Sequence, residues 1–341
     1  MSSLWRYLCL AGIFLSFALS IAASVPSGQA APNDLTAPTP SVATEDMVAE
    51  ENVIYMGIWV INVYGFDYPN GNYVFDYYIY FFWSDPNITT VQWYMMNGKP
   101  SNPITKEMVS NGTLEGFNFE FWRVRADLSY PLEAGNYPFE PVTLPISIEV
   151  VNSAKPGQPY QLRWLEDSSG VDPGFKIVGW DMTDVKYSIV LHEYPFVESP
   201  QAIMDIVIKR EMIVAFPEVI LPPLIFCLVS AFSFLLRMDD SGAFGLRVGL
   251  NTSMLITAVL FNLSMQKQIP PTSTINFYTI YITGVFLFLA LNLIVTILGY
   301  VEFNYHKDPA KLKRINRYGI IMSTSIPILI ILLLALALWV F

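Results

Sequence analysis

Cysteine is almost missing from this chain: there are two in 341 residues, Cys9 and Cys227. Cys9 falls in an apolar run at the start and Cys227 in a later one. The polar middle of the chain therefore has no disulfide and must be held by packing and assembly. Histidine is as scarce, with only His192 and His306, which argues against a His-based metal site. No glycine loop suited to phosphate and no nucleophilic triad occurs, so no enzyme activity, catalytic residue or cofactor is expected. Charge is short as well. Asp, Glu, Lys and Arg make up 14% and apolar residues 53%, against about 25% charged in soluble domains. That balance excludes an ordinary soluble protein and points to a membrane.

What is present falls into four blocks. Residues 1–24 read as a secretory signal peptide, with Arg6, the apolar run Leu8–Ile21, then Ala22-Ala23-Ser24. Residues 25–50, rich in Ala, Pro, Ser and Thr, read as a disordered leader. Residues 51–216 carry strand signals, at Val53–Val63, Asn72–Trp83, Phe117–Ala126, Val142–Val151, Ile177–Trp180, Val185–His192 and Ala202–Ile208. Short strands broken by Gly, Pro and Asn predict a β-sandwich. Between Ala31 and Phe216 there are 24 acidic and 10 basic residues. Such a domain attracts cations, protons or basic ligands, and no nucleic-acid partner is expected. Residues 217–341 hold four apolar segments, about 218–236, 247–268, 275–300 and 318–341, each near the ~20 residues that cross a bilayer. Lys307, Lys311, Lys313, Arg314 and Arg317 lie between the last two. The positive-inside rule puts that loop in the cytoplasm. The chain is then a multi-pass cell-membrane protein with its amino-terminal domain and its carboxyl terminus outside.

The second apolar segment differs in kind. Gly249, Asn251, Thr252, Ser253, Thr257, Asn262 and Ser264 recur along it, and a helix facing only lipid gains nothing from them. At 3.6 residues per turn, Gly249, Ser253, Ile256, Leu260, Leu263 and Lys267 share one face. Such a stripe suits a helix lining a water-filled path, and it also suits a helix packing against neighbours.

Four local motifs stand in order along the chain. They are Trp83-Ser84-Asp85-Pro86 closing an aromatic strand, Tyr137-Pro138-Phe139-Glu140, Arg210 ahead of Pro222, and Pro270-x-Thr272-Ser273 after the second segment. With them, the chain resembles the pentameric ligand-gated ion channels, the Cys-loop receptor superfamily, from about Val53 to Phe341. The cysteines flanking the family's signature loop are absent from Asp127–Leu144, Glu140 replaces an Asp, and the loop between the third and fourth segments is short. These departures resemble the prokaryotic branch.

The resemblance implies a membrane α+β fold: an extracellular immunoglobulin-like β-sandwich, then a four-helix transmembrane bundle, five subunits closing into a ring. It puts the Gly249–Lys267 face on the channel axis, with Ile256, Leu260 and Leu263 as apolar rings that gate by expelling water. It makes Asp85, Tyr137, Pro138, Phe139, Glu140, Arg210, Pro270 and Thr272 a coupling set at the membrane surface, with Arg210 paired to Glu140 or Asp85. It implies a ligand site between subunits, from Tyr160, Trp164, Trp180, Tyr194 and Phe196 on one side and Tyr78 and Tyr80 on the other, where aromatics hold an ammonium by cation–π attraction. All seven are equally readable as core. The implied partners are further copies of the chain, the lipid bilayer, permeating inorganic ions, and a small-molecule or proton agonist. Charges near the pore conflict. Lys267 opposes cations, while Asp239, Asp240 and the acidic domain favour them, so the balance tips only slightly to cations. The alternative reading is a non-conducting membrane-anchored receptor or adhesion module.

Overall fold

The computed structural model describes residues 47–50, 52–102, 104–132, 135–155, 158–195, 198–236, 241–271 and 276–340. The expected signal peptide, most of the leader, Phe196, Thr272, Asp239 and Asp240 lie outside them. Twelve strands come first: β1 Val53–Asp67, β2 Asn72–Trp83, β3 Trp93–Met95, β4 Thr105–Leu114, β5 Phe117–Ser129, β6 Val142–Val150, β7 Ser153–Lys155, β8 Gln158–Pro159, β9 Gln161–Trp164, β10 Gly170–Val171, β11 Trp180–Glu193 and β12 Glu198–Arg210. One sheet runs β10-β1-β2-β5-β4, with β9 also on β1; a second runs β11-β12-β6-β3, and β7 pairs with β8 alone.

Alternation builds the sandwich. Tyr73, Phe75, Tyr77, Ile79 and Phe81 occupy every second position of β2 and are fully buried. They meet Leu144, Ile146 and Ile148 of β6 and Met204, Ile206 and Ile208 of β12 in one core. Each such side chain contributes roughly 1.5–3 kcal/mol by leaving water. The strand β4 gave no sequence signal because all ten of its residues are exposed. It is an edge strand, and Lys106, Glu107 and Asn111 keep that edge polar. On the outer face of the first sheet, Tyr55, Tyr80, Phe82, Phe117 and Leu165 form a second cluster that also takes up Met47. The expected leader therefore ends too late. Residues 47–50 are docked, with Val48 exchanging two hydrogen bonds with the Tyr55 hydroxyl and Glu50 paired to Arg163 at 3.0 Å.

The helices follow directly. We label α1 Met212–Leu235, α2 Ser241–Met265, α3 Phe277–Val301 and α4 Pro309–Val340. Among the described residues three helical segments, Met212–Leu235, Gly242–Met265 and Phe277–His306, are long and apolar enough to cross a membrane. The chain is a membrane protein with a β-sandwich followed by apolar helices. The first helix begins at Met212, close behind Arg210, and includes a π turn at Phe216–Ile220 ahead of Pro222-Pro223. Pro222 and Pro223 cannot donate to the carbonyls one turn before them, and next to these the Tyr281 hydroxyl donates to the Ile220 carbonyl at 2.7 Å.

Candidate functional site

Strand pairing fixes which end of the sandwich meets the helices. The last residue of β12, Arg210, pairs with Trp180, and Ile208 pairs with Val142. Asn72, which follows the β1–β2 turn, pairs with Ser129. The Tyr68 ring stacks on Tyr137 at 5.8 Å, and Phe139 meets Phe277 of α3 edge-on at 4.9 Å. The β1–β2 turn, the 135–141 loop and the start of α1 therefore gather at one end, against the helices.

Arg210 is the centre of that junction. Its Nη1 donates to the Tyr137 hydroxyl at 2.7 Å and its Nη2 to Glu218 at 2.5 Å. The guanidinium also lies over the Tyr137 and Trp180 rings, at 5.4 and 5.8 Å. Its partner is thus Glu218, one π turn into α1, and neither of the expected carboxylates. The Glu140 carboxylate accepts instead from the Asn136 backbone N–H at 2.7 Å, bracing its own loop, whose Tyr137–Pro138 peptide is cis. Pro138 and Pro270 are buried.

Asp85 does not belong to the junction. It follows Trp83, whose strand ends opposite Ile54, and a strand of this length separates it from Asn72 by roughly 35–40 Å. There Asp85 accepts from the Tyr160 hydroxyl at 2.7 Å and from the Asn87 backbone and amide at 2.8 Å each. Burial alone would raise its pKa, but these three donors outweigh burial and hold the carboxyl below the usual range. Burial first, and then Asp85, push Tyr160 up to about 12, so it stays a neutral donor.

The ligand-site residues separate in the same way. Trp180 sits at the junction, at the opposite end of β11 from Glu193, so its strand holds it away from Tyr194. Tyr160 is a buried core donor, as above. Tyr80 is buried on the outer sheet face, its hydroxyl donating to the Ser168 carbonyl. Its ring covers Gly57 so closely that a Cβ there would lie 2.3 Å from it. Tyr78 stacks on Phe121 at 4.9 Å and is half-buried. Trp164 is half-buried, packs on Tyr187 and donates to the Ser188 carbonyl at 3.0 Å. Tyr194 is exposed, lies 4.5 Å from the His192 ring, and donates to Glu149 at 2.7 Å. Of the described members, Tyr78, Trp164 and Tyr194 keep an accessible ring, and one protomer does not bring them together. The sequence reading missed Asp205 on β12. Burial raises its pKa, Lys186 offsetting part of the rise.

The second helix has two unlike faces. Gly249 and Ser253 are exposed, and Ile256, Leu260 and Leu263 are 56%, 61% and 52% exposed. Lys267 is exposed too, but it lies in the turn after Met265 and not on the helix itself. The other face, Phe244, Arg247, Asn251, Ala258 and Met265, is buried in the bundle. Asn251, which read as a pore-type polar residue, is a bundle residue. It donates to Ser233, Thr296 and the Arg247 carbonyl and pairs with Ser230. Asn292 joins this network through Ser230 at 2.8 Å, and Ser323 of α4 donates to Asn292 at 3.1 Å. Arg247 is wholly buried, donating to the Ser233 carbonyl at 2.8 Å and to Asn316 of α4 at 2.9 Å. Its partners lie on other helices, and sequence spacing gave no sign of them.

Over 117 residues the chain is 31% identical to the acetylcholine receptor subunit beta-type acr-2 of Caenorhabditis elegans, a match covering 34% of this chain. The chain spans 18% of that relative's length. No family model matches the chain.

Proposed function

We propose that the chain is one subunit of a pentameric, prokaryotic-type ligand-gated ion channel, its β-sandwich outside the cytoplasm and α4 a fourth membrane crossing. One observation carries this reading. The face of α2 holding Gly249, Ser253, Ile256, Leu260 and Leu263 is left open, while the opposite face of the same helix is packed into the bundle. Five such faces around an axis line a path with a small, wettable half at Gly249 and Ser253 and stacked apolar rings beyond. Rings of Ile and Leu close a path by expelling water when the helices draw together. The similarity to an acetylcholine receptor subunit supports the same reading.

The sandwich transmits its motion through the junction. Arg210, clamped between Tyr137 and Glu218, ties the 135–141 loop to the first helix. Phe139 against Phe277 ties that loop to α3. Ligand or proton binding that shifts the sandwich then shifts α1 and α3, against which α2 packs. The agonist site lies between subunits, with Trp164 and Tyr194 from one side and Tyr78 from the other; an ammonium group or a proton is the signal. The acidic sandwich, set against Lys267, tips selectivity only slightly to cations.

The test is purified protein in planar bilayers, with reversal potentials under a salt gradient and a screen of pH and amines. Single-channel steps whose reversal potential follows the cation gradient are expected. An assembled protein that stays silent at every pH and amine tried sinks the channel reading.

A further inference from the structure

A cavity of about 550 Å³ opens at the junction between sandwich and helices, within the range of small-molecule sites. Phe66, Tyr68 and Trp180 form its apolar walls. Two cations line it, Lys176 and Arg210, against one carboxylate, Asp67. Asp67 is already engaged, accepting from Asn70 at 2.8 Å. Lys176 has no ion pair among the described residues. Arg210 spends its two terminal nitrogens on Tyr137 and Glu218, yet its Nε is buried with no acceptor. The cavity thus presents Lys176 without a counter-ion beside a guanidinium with one donor unmet among the described residues.

The surroundings say what would carry an anion to this site. Val178, two residues past Lys176, is 91% exposed. The next residue, Gly179, lies against Val214 in the first turn of α1, and its carbonyl accepts from the Glu211 N–H at 3.0 Å. Ile213 beside it is 46% exposed. The mouth of the cavity thus stands where the apolar helix begins, with bare aliphatic surface at its rim, which the apolar body of a ligand would cover.

We propose that this cavity binds an anionic amphiphile, a phosphate- or carboxylate-type head on an apolar body. The head lies between Lys176 and Arg210 and the body lies along Val178. The occupant also touches Gln268, just past the end of α2, and so bridges the β1–β2 turn, the 176–178 segment and the second helix. This does not depend on conduction, because occupancy is read by binding alone.

The experiment uses the purified full chain in non-ionic detergent, titrated with fluorescently labelled dihexanoyl phosphatidylglycerol, with unlabelled dihexanoyl phosphatidylcholine as the neutral comparison. Saturable binding is expected, weakened about fivefold by Lys176→Gln and strengthened about threefold by Asp67→Asn, in keeping with single exposed charges. Lys176 is exposed, and half-buried Asp67 accepts from exposed Asn70, a bond that Asn at 67 can still accept, so neither change threatens the fold. Inorganic phosphate identifies the source. Displacement of the probe at millimolar phosphate marks a free phosphate as sufficient, and displacement only by unlabelled phosphatidylglycerol marks a lipid. Displacement by neither, equal binding of the neutral lipid, or wild-type affinity in both variants overturns the proposal.

Discussion

Tyr160→Phe deletes one oxygen and tests whether Asp85 is an anchor or a coupling residue. The hydroxyl donates to a carboxylate at 2.7 Å, with Tyr160 and Asp85 only 3% and 6% exposed. A hydrogen bond to a buried charge is worth about 1.5–3 kcal/mol. Phe keeps the ring and its packing, so that bond is the main loss. At 2–4 °C per kcal/mol for a domain of this size, the apparent melting temperature should drop by about 3–12 °C at pH 7. The pH dependence has a definite sign. The folded Asp85 carboxyl is held below its ordinary pKa. Its stabilisation is therefore present above the usual carboxylate range and is lost as the pH falls through the folded value. The gap between parent and variant should be full at pH 7 and should narrow below about pH 4. Thermal unfolding in detergent across pH, followed by tryptophan emission, reads both. A variant melting within about 1 °C of the parent at pH 7 would refute the anchoring role, since even the low end of the range predicts more.

The remaining expectations concern the helices and the junction. With the buried Cys227 left in place, Ser253→Cys should react with a water-borne thiol reagent and Ala258→Cys should not; equal reaction would put α2 in the wrong rotation. Leu260→Ser should raise the resting leak about tenfold, the equivalent of ~1.4 kcal/mol of lost apolar gating, and an unchanged leak in bilayers would remove Leu260 from the gate. Asn251→Ala, which removes one partner each from Ser230, Ser233 and Thr296, should lower the melting temperature by several degrees, the result of losing about 2–4 kcal/mol. Arg210→Glu alone should abolish activation, and adding Glu218→Arg should restore part of it; restoration by Glu140→Arg instead would mean the ion pair is misassigned.

Much of the fold was legible because it rests on local periodicity. Alternation in Asn72–Trp83 gave β2 to the residue, and long apolar runs gave α3 to within two positions and α2 to within six. Where the pattern was absent the element was invisible: β4 faces solvent on both sides and carries no alternation. The site was less legible. The exposed stripe Gly249–Leu263 follows from helical spacing. The partners of Arg210 and Asp85 do not: Asp85 lies at the far end of the sandwich, and Glu140, though on the junction loop, turns to the Asn136 N–H. That Trp180 is held away from Tyr194 was hidden for the same reason, because nothing in a sequence says which loops share an end with a residue of a long strand.

By itself the sequence determined that this chain enters a membrane, that its middle is an acidic β domain without disulfides, and that one helix carries a face unlike the others. These follow from composition and from periods of two and 3.6, which each residue's immediate neighbours settle. Only the tertiary structure decided that Arg247 and Asn251 turn inward to Ser233 and Asn316, that Asp85 anchors the far end with Tyr160, and that Arg210 joins Glu218. Those choices depend on residues tens of positions apart meeting when sheets pair and helices pack, and desolvation then decides which polar groups must find one another.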